Sequence, residues 1–260
     1  MPDNGFGPVR TAKFARTLVI TLDRPEARNA INADAAAGLE AAIDLLERDD
    51  ELWVGVLVGA GSVFCAGADL KAVADRGVSE LITVRGGFAG FVQRARTKPV
   101  IAALNGHAVA GGMEIAIAAD IIIAAEGTHL GLPEATRSLL AVGGALANLP
   151  RLIGQKAALE LAMTGELWPA ERFVQLGLIS KVVPAGTVLH EARNVADSLC
   201  RNAPLAVRAS RRVIVDGADL VNSARWDLAE RELRQLSMTS DFHEGPRAFL
   251  ERRPPVWLAN

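Results

Sequence analysis

The sequence predicts an α/β protein, and three observations carry that prediction. Short apolar strands recur up to about residue 186, each followed by a loop and a helix-like segment, the order expected of right-handed crossover units around a buried sheet. The segment Trp53-Val54-Gly55-Val56-Leu57-Val58 is apolar on both faces, as in a sheet covered on both sides. Beyond residue 186 the pattern changes to helices only. The predicted division is therefore 1–186 for the sheet-bearing core and 187–260 for a helical region that forms a lid, a cap or an oligomer contact.

The elements follow in order. Leu18-Val19-Ile20-Thr21-Leu22 reads as a strand ended by Arg24-Pro25. Ala33 to Arg48 has helical periodicity, with Leu39, Ile43 and Leu46 on one face. Trp53–Val58 is the second strand, Gly59 to Ser62 a turn, and Phe64 to Leu70 a glycine-containing loop leading towards a helix. Residues 78–96 read as an amphipathic helix, broken by Lys98-Pro99 before the strand Val100 to Leu104. Gly111 to Ala119 has the residues of a short helix, and Asp120 to Ala124 those of a further strand. Helices are expected over roughly 187–201, 204–215, 218–238 and 241–251, and Pro254 to Trp257 should be extended.

Composition narrows the class. With 260 residues, half of them hydrophobic and 22% charged, the chain suits one large α/β domain or such a domain with a helical appendage. A formal net charge of -2 with mixed signs gives no nucleic-acid footprint. Cys65 and Cys200 make neither a disulfide framework nor a zinc pattern, so a reducing, cytoplasmic compartment is expected. The N-terminus lacks signal-peptide architecture, and no apolar run reaches membrane-spanning length, because Asn105, His107, Glu114 and Asp120 interrupt 99–125.

The chemistry concentrates between Asn105 and Glu134. Glu114 and Glu134 sit in apolar sequence near the pair Gly111-Gly112, and a carboxylate rarely enters such surroundings without a partner or a task. Two carboxyls in different environments can divide acid and base roles. A glycine pair opening a helix exposes unpaired N–H groups at the positive end of the helix dipole, where a developing enolate oxygen is stabilised. The same pair also suits plain close packing of a helix on a strand. Ala66-Gly67-Ala68-Asp69 offers a second backbone donor from another loop, with Asp69 open to a helix N-cap role. His107 reads as a structural residue beside the site, Cys65 as buried and inert, and Asp120 as a structural hydrogen-bond acceptor.

At these residues the chain resembles the crotonase superfamily, the enoyl-CoA hydratase/isomerase family. The resemblance runs from Leu22-Asp23-Arg24-Pro25-Glu26-Ala27-Arg28-Asn29-Ala30-Ile31 through Phe64-Cys65-Ala66-Gly67-Ala68-Asp69-Leu70 and Lys98 to Gly106. It continues with Gly111-Gly112-Met113-Glu114, Leu132-Pro133-Glu134, Thr164-Gly165 and Glu244 to Arg253. The chain departs from the family pattern at Ala110, where a third glycine is frequent, at His107, and in the run Leu140 to Ala145, which lines the acyl pocket in the family.

The resemblance implies a crotonase-like spiral of ββα units followed by a C-terminal helical trimerisation region, giving a homotrimer or a hexamer built as a dimer of trimers. It implies an enoyl-CoA hydratase-type lyase of fatty acid metabolism that adds water reversibly to a 2-enoyl-CoA thioester. Catalytic Glu114 and Glu134 and an oxyanion hole of Ala68 and Gly111 come with it, as do CoA contacts at Glu26, Ala27, Arg28, Ala66, Asp69 and Leu70. No metal and no separate cofactor is expected, because CoA is part of the substrate, and neither nucleic acid nor membrane is expected as a partner. The alternatives are a carnitinyl-CoA dehydratase or an enoyl-CoA isomerase on the same scaffold, or a non-catalytic acyl-CoA-binding protein. Retention of both glutamates favours hydration.

Overall fold

The computed structural model describes residues 4–260. The chain opens with β1 (Asn4–Phe6), β2 (Val9–Phe14) and β3 (Thr17–Leu22), then α1 (Ala33–Arg48), β4 (Val54–Gly59) and α2 (Leu70–Arg76). The short pair β5 (Ile82–Thr83) and β6 (Gly87–Phe88) precedes β7 (Val100–Leu104), β8 (Ala108–Val109) and α3 (Gly111–Ala118). Next come β9 (Ile121–Ala125), β10 (His129–Gly131), α4 (Ala145–Ile153), α5 (Gln155–Thr164), β11 (Leu167–Pro169), α6 (Ala170–Gln175) and β12 (Lys181–Val183). The remainder is α7 (Val188–Cys200), α8 (Pro204–Asp216), α9 (Asn222–Leu236) and α10 (Ser240–Leu250).

The large sheet has the order β1-β2-β3-β4-β7-β9-β12. The stretch β3-β4-β7-β9-β12 is parallel, and β1 and β2 extend it as antiparallel edge strands. A smaller sheet has the order β11-β10-β8, with β8 and β10 parallel. Cys65 extends that smaller sheet by a parallel bridge to Ala108. Successive turns thus place β4, β7 and β9 in the large sheet and Cys65, β8 and β10 beside one another in the small one, followed in the first two turns by a helix. This is the expected spiral of ββα units.

Local chemistry explains the main elements. Asn32 caps α1 by accepting from Ala35 N at 2.9 Å, and Leu39, Ile43 and Leu46 are fully buried under the large sheet. Every residue of β4 and β7 is buried, as the double-sided apolar pattern predicts. The two faces carry separate cores: α1 and α3 cover one, while Val188, Ala192 and Ala196 of α7 cover the other against Val54, Val56, Ile101 and Ile123. The C-terminal segment 254–260 carries no helix or strand and is held by carboxylates of α10. Glu244 accepts from Val256 N at 2.9 Å, and Asp241 from Leu258 N and Ala259 N at 2.8 and 3.0 Å.

One expectation fails. Residues 78–96 form no long helix but a short 3-10 turn (Val78–Leu81), the β5–β6 pair and irregular turns. The apolar spacing was helical, yet Gly87, Ala89 and Gly90 have φ of +64°, +59° and +67°, outside the right-handed helical region. Gly86 packs so closely on Gly90 that a Cβ would stand 2.1 Å from its carbonyl carbon. The real helix of this region, α2, lies earlier, capped by Asp69.

Asp120 carries the structural role expected of it. It accepts from Val100 N and Arg211 Nε at 2.8 Å each and pairs with Arg96 at 3.3 Å, tying α8 to the sheet. Removing it leaves two largely buried guanidinium groups without that carboxylate. Asp120→Ala is therefore expected to cost about 3–5 kcal/mol of stability, read as a lower urea midpoint at unchanged slope. A loss below about 1 kcal/mol would show the bridge to be dispensable.

Candidate active site

The site forms where two turns of the spiral touch. The loop 65–68 leaves the first turn, and α3 begins the helix of the second. Val109 N donates to Cys65 O at 3.0 Å, and a Cβ on Gly112 would fall 2.0 Å from that same carbonyl. A Cβ on Gly67, whose φ is +90°, would fall 2.8 Å from Gly111 N. Only glycines at 67 and 112 allow this approach. The packing reading of the Gly111-Gly112 pair fits Gly112, which seats on Cys65.

Neither Ala68 N nor Gly111 N donates a hydrogen bond among the described residues. The parallel bridge between Ile31 and Ala68 uses the neighbouring groups, Ile31 N to Gly67 O and Asp69 N to Ile31 O at 2.8 Å each, so the Ala68 amide faces away from Ile31. Ala110, just before α3, has φ +54° and ψ −128°, a region that disfavours side chains. Its amide is fixed by Gly131 O at 2.9 Å, so the third turn, through β10, holds the strained residue that precedes Gly111.

Glu114 lies one turn into α3 and is only 4% exposed. Its Oε1 accepts from Ala145 N at 3.1 Å, and a Cβ on Gly143 would stand 2.5 Å from its Oε2. Burial pushes its pKa up to about 7, against the opposing pull of the Ala145 and Gly143 amides and with help from the charge of Glu134. Glu134 sits in the 3-10 turn Pro133–Arg137, which Gly165 supports from behind. Burial raises its pKa as well, opposed by its own backbone amide and by Arg137. Its Oε2 is buried with no hydrogen-bond partner. Both carboxyls are therefore shifted towards their neutral forms, and the charge of Glu134 adds to the shift of Glu114.

The other expected residues fall around this centre. Glu26 and Ala27 occupy a 3-10 turn, and Arg28 follows it in the left-handed conformation. The turn is pinned to the loop 65–68 by Ala66 N donating to Arg28 O at 3.0 Å. Leu70 is exposed at the start of α2. Asp69 is the N-cap: its carboxylate accepts from Lys71 N and Ala72 N and pairs with Arg24 at 3.0 Å. Burial works against its charge, but Arg24 and the helix amides outweigh it and keep the carboxyl below its usual range.

His107 and Cys65 act as scaffolding. His107 Nδ1 accepts from His129 N at 3.0 Å, and its carbonyl accepts from Phe64 N at 3.1 Å. Burial pushes the Cys65 thiol up to about 12, so it carries no thiolate at neutral pH. Sequence reasoning missed Phe88, whose ring lies against Gly111 and Gly143. The false helix at 78–96 hid it, since a helix would have turned that residue elsewhere. Gly143 and Ala145 were legible only as part of the run after Glu134.

Residues 14–260 match the family model described as enoyl-CoA hydratase/isomerase. The chain belongs to the enoyl-CoA hydratase/isomerase family. A solved structure, an enoyl-CoA hydratase from Mycobacterium tuberculosis, superposes with a TM-score of 0.94 at 41% identity, covering 97% of this chain and 99% of that one. A mevalonyl-coenzyme A hydratase of Aspergillus fumigatus is 36% identical over 92% of this chain and 90% of its own length. A carnitinyl-CoA dehydratase of Salmonella typhi is also 36% identical, over 92% of this chain and 94% of its own. Among the described residues no helix is long and apolar enough to cross a membrane.

The raised pKa of Glu114 has a stability consequence. Below about 4.5 the group is neutral in both folded and unfolded chains; between there and about 7 only the unfolded chain ionises, so folding loses stability as pH rises. The shift corresponds to at most about 3 kcal/mol. Glu114→Gln is expected to melt several degrees above the parent at pH 8 and level with it near pH 4, in thermal scans at both values. A melting difference that does not change with pH would refute this assignment.

Proposed function

We propose that this protein adds water reversibly across the double bond of a 2-enoyl-CoA thioester, using Glu114 and Glu134 as a pair that holds one proton. The observation that carries the reading is a buried and a half-buried carboxyl, both shifted towards their neutral forms, with two backbone amides that have no acceptor among the described residues. The thioester oxygen accepts from Ala68 N and Gly111 N, which stabilise the charge that develops as Cβ is attacked. Glu114 takes a proton from water as its oxygen bonds to Cβ, and Glu134 gives its proton to Cα. Before the step Glu114 is ionised and Glu134 protonated; afterwards the proton lies on Glu114. Total charge is unchanged, and dehydration is the same path reversed.

Burial raises the pKa of both carboxyls, which favours keeping one proton on the pair. Exposed Glu26, Arg28 and Leu70, with Ala27, Ala66 and Asp69, form the CoA approach to the oxyanion loop. CoA arrives as part of the substrate, and no separate cofactor enters the scheme. The helical region 187–260 is the candidate trimer-forming part, with pairing of trimers into hexamers open to it, and the cytoplasm is the compartment that suits two free cysteines. The relatives named as hydratases and a dehydratase support water chemistry over isomerisation.

The deciding test follows loss of enoyl-thioester absorbance with crotonyl-CoA. Glu134→Gln and Glu114→Ala are each expected to lower kcat by about 10²–10⁴ while the protein stays folded and binds CoA thioesters. Wild-type rates in either variant would overturn the mechanism, and no turnover by the parent would turn the reading to a polar substrate such as crotonobetainyl-CoA or to acyl-CoA binding alone. The one-proton pair also predicts a bell-shaped pH profile of kcat/KM, falling on the alkaline side as Glu114 loses its proton near pH 7. A profile flat from pH 6 to 9 would contradict it.

A further inference from the structure

The half-buried ring of Phe88 lies between the two halves of the site. A Cβ on Gly111, the oxyanion donor, would stand 2.5 Å from Phe88 Cζ. A Cβ on Gly143 would stand 3.2 Å from Phe88 Cδ1 and 2.5 Å from Glu114 Oε2. The ring therefore spans from the amide that holds the thioester oxygen to the carboxylate that handles water. Val92 continues this apolar wall, its Cγ1 2.9 Å from where a Cβ on Gly144 would be.

The backbone that carries the ring is pinned from several sides. Ala89 N donates to Leu81 O and Gln93 N to Gly86 O, each at 2.8 Å. Thr83 Oγ1 donates to Glu40 at 2.7 Å, Arg85 reaches Asp44 at 2.7 Å, and Arg94 reaches the same carboxylate at 2.6 Å, all tying the segment to α1. Gly90 lies so close to α1 that a Cβ would fall 2.3 Å from Ala36 O. A ring on such a support is a fixed wall rather than a swinging lid.

Resting on the hydratase reading, we propose that Phe88 is a specificity-determining residue that confines the acyl group to short, apolar chains. With the thioester oxygen at Gly111 and Cβ near Glu114, the substituent on Cβ must leave the site past this ring. A crotonyl methyl fits against it, and a long chain meets it. Truncating the ring opens the path without touching an amide donor or a carboxyl.

The test compares parent, Phe88→Leu and Phe88→Ala, each checked for an unchanged cooperative melt. Hydration of crotonyl-CoA and 2-decenoyl-CoA is measured beside binding of the unreactive butyryl-CoA and decanoyl-CoA. The parent should favour the short enoyl thioester in kcat/KM by at least about 10²; Phe88→Ala should narrow that preference at least about tenfold, with Phe88→Leu between them. Binding should shift towards the longer saturated thioester in the same order. Equal handling of both lengths by the parent, or a proportional loss at both lengths in Phe88→Ala, would overturn the proposal. If binding sorts by length through Phe88 while no enoyl thioester is hydrated, the hydratase reading fails and the steric role of Phe88 stands.

Discussion

The site depends on one close contact, the seating of Gly112 on the carbonyl of Cys65. Three of the four candidate site residues lie within a few residues of it: Ala68 follows on one side of the contact, and Gly111 and Glu114 flank it on the other. A methyl group at 112 would overlap the Cys65 carbonyl, and one at 67 would abut the Gly111 amide. Either would push the second turn of the spiral off the first. The hydrogen bond from Val109 N to Cys65 O and the Cys65–Ala108 bridge lock the same two turns in register. The Ala68 and Gly111 amides are thus placed by sheet pairing between turns together with the strained conformation of Ala110.

Against that rigid frame the electrostatics run the other way. Burying Glu114 in α3, among Met113, Ile115 and Ala116, opposes its ionisation, and the amides at Gly143 and Ala145 compensate only in part. Glu134 carries an unpartnered buried oxygen. Ala110 adds backbone strain at the head of the same helix. Three destabilising features within one small region are what a site tuned for proton transfer looks like, and the well-packed parallel strands beside it supply the stability that tolerates them.

Phe88 links this frame to α1 at the protein's other face of chemistry, selection rather than reaction. Its support runs through Arg85, Thr83 and Arg94 to Glu40 and Asp44, so residues far from the carboxyls in sequence set the shape of the space beside them.

Much of this was legible in the sequence because it rests on local or repeated signals. The period of Leu39, Ile43 and Leu46, the doubly apolar strands at 54–59 and 100–104, and the Gly-Gly-Met-Glu run each report their own neighbourhood. The stretch 78–96 misled because apolar spacing there is helical, while close packing of Gly86 on Gly90 and of Gly90 on α1 selects left-handed turns. The sequence by itself determined the class of fold and the placing of Gly111, Gly112 and Glu114 in the first turn of one short helix. Only the tertiary structure decided that Gly112 seats on the Cys65 carbonyl, that Glu114 is buried against the Ala145 amide, and that the Phe88 ring lies against Gly111 and Gly143. Those outcomes depend on burial and on contacts between segments distant in the chain, which no local pattern encodes.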